Sequence, residues 1–71
     1  RARDRLYGML DAAIGAGGED GVRALATSMN HGNIEIGDCA GWMSYLADVG
    51  QNGSEDLAKA ASAANAYLAS H

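Results

Sequence analysis

The stretch SMNHGNIEIGDCAGWMSYL, residues 28–46, gathers the side chains best able to do chemistry: His31, Glu35, Asp38, Cys39 and the single tryptophan, Trp42. A cysteine beside a histidine can form an activated thiolate nucleophile. The same residues with two carboxylates could hold a metal ion. The residue counts oppose both readings. A structural zinc takes four ligands, with paired Cys or His spacings, and one cysteine with one nearby histidine cannot supply them. Asp38 places a negative charge next to Cys39, which works against a thiolate. Helical spacing also sets the thiol inward with Trp42 and Met43, as a small buried hydrophobe. The stretch therefore reads as a corner: a histidine stop, an isoleucine plug from Ile34 and Ile36, an aspartate cap and a tryptophan core.

Two glycine-rich segments invite other chemistry. GAGGEDG, residues 15–21, looks like a phosphate loop, but a helix precedes it and its acids stand where phosphate would dock. DVGQNGSEDLAK, residues 48–59, carries Asp48, Asn52 and Gly53 at calcium-loop spacing. Its third position is Gly50, and its twelfth is Lys59 where a bidentate glutamate belongs. Glu19-Asp20 and Glu55-Asp56 are sequence neighbours that diverge on a helix, so they are helix-start residues and not an acid–base pair. No catalytic residue, metal or cofactor is expected, and the chain is not read as an enzyme.

The elements behind these residues have helical periodicity throughout. Leu6, Met9, Leu10, Ala13 and Ile14 make one inward stripe, with Asp4, Gly8, Asp11 and Gly15 opposite. Gly15, Gly17 and Gly18 break that helix. Val22, Leu25, Ala26 and Met29 form a second stripe, stopped by Asn30-His31-Gly32-Asn33. Asp38 caps a third helix, with Cys39, Trp42, Met43, Leu46 and Val49 inward; Gly50, Asn52 and Gly53 end it. Ser54 caps a fourth, with Leu57, Ala60, Ala61, Ala64, Tyr67 and Leu68 inward and Glu55, Lys59, Ser62, Asn65 and Ser70 outward. The expected fold is all-α: one helical domain over 1–71, with helices at about 2–15, 19–30, 38–49 and 54–70. Two helical hairpins would pack as a compact four-helix unit. Matching residues recur at a spacing of 36, Leu10 with Leu46, Gly17 with Gly53 and Arg23 with Lys59. Duplication and shared capping chemistry both produce such a pattern.

Composition bounds the function. Of 71 residues, 34 are apolar, but 15 of these are alanine, and phenylalanine is absent. A core of that size supplies about 3–5 kcal/mol, which favours self-association or a permanent partner. Net charge is −4, and no basic residue stands between Arg23 and Lys59. Such a surface repels nucleic acid and anionic membranes. The segment 38–49 has no Arg or Lys, and the loop before it is long for a helix-turn-helix, so that regulator ranks low. No run approaches the ~18 apolar residues of a membrane span. One cysteine fits a reducing, cytoplasmic setting. Residues before Arg1 are expected in the natural protein.

The function expected from these features is a small acidic, non-catalytic protein–protein interaction module, a homodimer or a subunit of an assembly. Its partner-binding residues would be Tyr7 and Tyr45, with an acidic rim from Glu35, Asp38 and Asp48. The alternative is an acidic inhibitor seated in a basic nucleic-acid channel of a host enzyme or defence complex, of the kind carried by phages and mobile elements.

Overall fold

The computed structural model describes residues 2–35 and 37–71, with the side chains of all these except 2 and 28–32. The expectations placed on Met29, His31 and Ile36 lie outside the described side chains. The fold is all-α, with three helices: α1, Ala2–Gly32; α2, Cys39–Asn52; and α3, Glu55–Ser70. The expected count of four is therefore corrected. The first two predicted helices are one helical element, because the chain stays helical through Gly15 and Gly17 and leaves helical dihedrals at Gly18 alone (φ 71°, ψ −174°). That conformation belongs to glycine, since a Cβ would clash with the flanking peptide units. A straight helix of 31 residues would run about 46 Å, whereas the longest dimension of the molecule is 29 Å. Gly18 is thus a sharp corner without a loop.

The other two boundaries follow side-chain chemistry. Asp38 caps α2 by accepting from the Gly41 N–H at 2.9 Å, and Ser54 caps α3 by accepting from the Leu57 N–H at 3.3 Å. α2 runs through Gly50 and ends on Gly53, whose N–H donates to the Val49 carbonyl at 2.9 Å. α3 lies between the others: α1 and α2 each pack on it and barely touch one another.

Small residues set the closeness of α1 and α3. Gly17 and Gly21, on either side of the Gly18 corner, meet the same group: a Cβ on either would press on the Asp56 carbonyl, at 2.5 and 2.7 Å. A Cβ on Gly8 would collide with the Tyr67 hydroxyl, so Gly8 faces α3, which corrects the outward position that the stripe predicted for it. Ala60 stands opposite them, Ala61 lies toward Gly50 of α2, and both, with Ala64, are fully buried. Met9, Ala13 and Leu25 from α1, Trp42 and Leu46 from α2, and Leu68 complete the core. Burying a leucine contributes about 1.5–3 kcal/mol, and among the described residues five large side chains, Met9, Leu25, Trp42, Leu46 and Leu68, are buried to that extent.

Turning the glycine face toward α3 rolls the predicted stripe of α1 outward. Leu6 and Leu10 are half-buried, and Ile14, expected inside, is 46% exposed. Ala26, also expected inside, is exposed, while Asn65 is half-buried and donates to the Met43 carbonyl at 3.4 Å. The 36-residue correspondence holds in sequence but not in role. Gly17, just before the Gly18 corner, packs against the Asp56 carbonyl of α3, whereas Gly53 caps the end of α2. The ion pairs Asp20–Arg23 (3.9 Å) and Glu55–Lys59 (3.5 Å) have different spacings and are exposed, so each contributes little.

Three glycine substitutions separate these roles. Gly18→Ala should lower stability by about 1–3 kcal/mol through backbone strain alone, because nothing lies within 4 Å of its Cβ position. Gly15→Ala, helical and equally unobstructed, should raise stability by about 0.5–1 kcal/mol. Gly17→Ala should destabilise through the Asp56 backbone. Thermal unfolding reads all three, and a Gly18→Ala protein that melts with the parent would refute the corner.

Candidate functional site

Because α1 and α2 rest on α3 without closing on each other, a slot remains between them at the end where α1 and α2 begin and α3 finishes. It is an open recess of about 460 Å³. From α1 come Asp4, Arg5, Leu6 and Met9; from the start of α2, Cys39 and Trp42; from the end of α3, Tyr67, Leu68 and His71.

Each wall is held by identifiable bonds. The connector before α2 folds over Trp42, and the Glu35 carbonyl accepts from both the Asp38 N–H (3.0 Å) and Trp42 Nε1 (2.6 Å). Ile34 packs against the core, as the expected plug. Arg5 Nη2 donates to the Leu68 carbonyl at 2.7 Å, joining residues 63 apart in sequence. A guanidinium there also meets the negative end of the α3 dipole. Arg5 Nε is buried and has no hydrogen-bond partner. His71 stacks on Tyr67 with ring centroids 4.1 Å apart and planes 8° apart, and its Nδ1 lies 3.1 Å from the Tyr67 carbonyl.

Cys39 is a half-buried free thiol, 3.9 Å from Met43 Sδ. It shares the recess with His71, but no hydrogen bond joins thiol and imidazole; the side chain of His31, its expected neighbour, is outside the described set. Among the described residues, no three His, Cys, Asp or Glu side chains gather as metal ligands. The GAGGEDG segment is helix around the Gly18 corner. No described helix is long and apolar enough to cross a membrane.

The five residues expected to bind a partner do not form one patch of exposed groups. Tyr7 is 60% exposed on α1. Tyr45 is half-buried and packs against the core. Glu35, Asp38 and Asp48 are exposed, but Asp38 is engaged as the α2 cap and Asp48 accepts from Asn52 Nδ2 at 3.2 Å. Sequence reasoning missed Arg5 as a part of the recess and Ile14 as a surface residue. One signal was present: Arg5, Met9 and Ala13 stand at i, i+4 and i+8, which puts Arg5 on the buried face. No family model, curated protein or solved structure matches the chain.

The Asp38 carboxylate serves the fold before any partner. Asp38→Ala should cost about 1 kcal/mol in a urea titration, while Asp38→Asn, which keeps the accepting oxygen and drops the charge, should stay within a few tenths of the parent. Equal losses for both would mean that charge, and not the cap bond, is what matters.

Proposed function

We propose that this chain is a non-catalytic protein-interaction module that associates with a second copy of itself through the outer face of α1. The observation that carries this is the pair Tyr7 and Ile14, 60% and 46% exposed, the large hydrophobics left outside among the described residues. Seven residues apart, they point within about 20° of each other around the helix axis. They form one apolar strip about two turns long. A domain with five large buried side chains gains from covering such a strip. Tyr45 is left out of this contact, because its ring already packs inward.

A two-fold arrangement sets Tyr7 of one copy against Ile14 of the other. Asp11, exposed between them, would then approach its own copy across the axis. Glu35 and Asp48, exposed and without an ion pair among the described residues, add to the acidity of the molecule on the side of α2. That charge favours protein over nucleic acid or anionic membrane as partner, and the free thiol of Cys39 accords with a reducing cytoplasm.

Light scattering and native mass spectrometry across micromolar to millimolar concentrations test the reading. The parent should be a dimer, the double variant Tyr7→Ser/Ile14→Ser a monomer of unchanged helicity, and Asp11→Asn a tighter dimer. A parent that stays monomeric at millimolar concentration would sink self-association through this face.

A further inference from the structure

At Asn52-Gly53 the second helix stops and the chain turns toward α3. Of the asparagines in the sequence, Asn30, Asn33, Asn52 and Asn65, Asn52 is the one followed by glycine. A successor without a side chain leaves its backbone nitrogen open, so that nitrogen can attack the asparagine amide. Packing, and not backbone conformation, requires glycine at 53. Its φ of −96° is ordinary for any residue, but a Cβ there would lie 2.9 Å from the Val49 carbonyl and 2.6 Å from Leu57 Cδ2. The fold thus calls for the very residue that makes its neighbour reactive.

Both reacting groups are restrained in the folded chain. The Gly53 N–H donates to the Val49 carbonyl at 2.9 Å. Asn52 Nδ2 donates to the Asp48 carbonyl at 3.0 Å and to Asp48 Oδ1 at 3.2 Å. Asp48, Asn52 and Gly53 are exposed at the end of a helix, where local opening costs least. We propose that Asn52 is a site of spontaneous deamidation, gated by opening of this last turn. The Gly53 nitrogen gives its proton to solvent base and bonds to the Asn52 side-chain carbonyl carbon; the Cγ–Nδ2 bond breaks and ammonia leaves. Water then opens the cyclic imide at either carbonyl, giving an aspartyl or an isoaspartyl residue. Neither product restores the turn. A carboxylate has no N–H for the Asp48 carbonyl, and it stands one helical turn from the Asp48 carboxylate. It also adds negative charge at the negative end of the α2 dipole, where the last turn holds no basic residue. The isoaspartyl form lengthens the main chain beside Gly53, where Val49 and Leu57 leave no room. The inference does not rest on self-association.

Peptide mass spectrometry tests it on the whole chain, incubated folded and, at the same pH and temperature, unfolded in urea. In the folded protein Asn52 should convert before the other asparagines. Its rate should be roughly 5- to 100-fold below that of the unfolded chain, the factor for two hydrogen bonds that must first break. Asn52→Gln, whose longer side chain closes the imide ring poorly, should stay unmodified at that position. Asn52→Asp, which reproduces the aspartyl product, should melt about 4–8 °C below the parent. That loss should shrink when Asp48→Asn is added, because the like charges are then removed. Another asparagine converting first, equal rates in folded and unfolded chains, or no conversion in the folded chain while the unfolded one reacts would each overturn the proposal. So would an Asn52→Asp protein that melts with the parent.

Discussion

The approach of α1 to the first turn of α3 is the constraint on which the rest of the structure depends. Gly17 and Gly21 put bare backbone against the Asp56 carbonyl, leaving no space for a β-carbon at either position. Gly8 makes the equivalent allowance for Tyr67 at the other end of the same helix pair. Ala60 answers from the α3 side, fully buried. With small residues on both sides, dispersion between backbones replaces much of the side-chain interdigitation found in larger cores. Gly18 then turns α1 so that both of its halves can lie along α3.

This economy of side-chain volume has consequences at the surface. A helix rotated to bring glycines inward carries its bulky residues outward, which is why Ile14 joins Tyr7 in solvent. It also leaves α1 and α2 on separate flanks of α3, and the slot between them is the recess. Arg5 is the tie across that slot, reaching from the first turn of α1 to the last turn of α3. A close-packed helix pair, an exposed apolar strip and an open recess are thus one structural decision seen from three sides.

The residues of the opening stretch are drawn into the architecture. Asp38 supplies a cap, Glu35 a carbonyl that serves both Asp38 and Trp42, and Trp42 the largest side chain of the core. Cys39 packs beside Met43 as a soft, partly sheltered group. The long-range polar tie comes from residues distant in sequence, Arg5 and the Leu68 carbonyl.

Helix type, the caps at Asp38 and Ser54, and the inward order Trp42, Leu46, Ala60, Ala64, Leu68 were legible from sequence, because each depends on a residue and its neighbours within one or two turns. Three glycines at 15, 17 and 18 announced an interruption, but which of them would turn and which would pack depended on α3, some 40 residues away. The same holds for Gly8, Ile14 and Arg5. Periodicity says which residues share a helix face. It does not say how far that face rotates when another helix settles on it, and with Gly8 and Gly17 against α3 an expected core isoleucine, Ile14, stands exposed. Local hydrogen bonding and spacing were the sequence's own determination. The three-helix count, the exposed strip and the recess were decided by tertiary packing, since each depends on distances between segments that only the folded chain brings together.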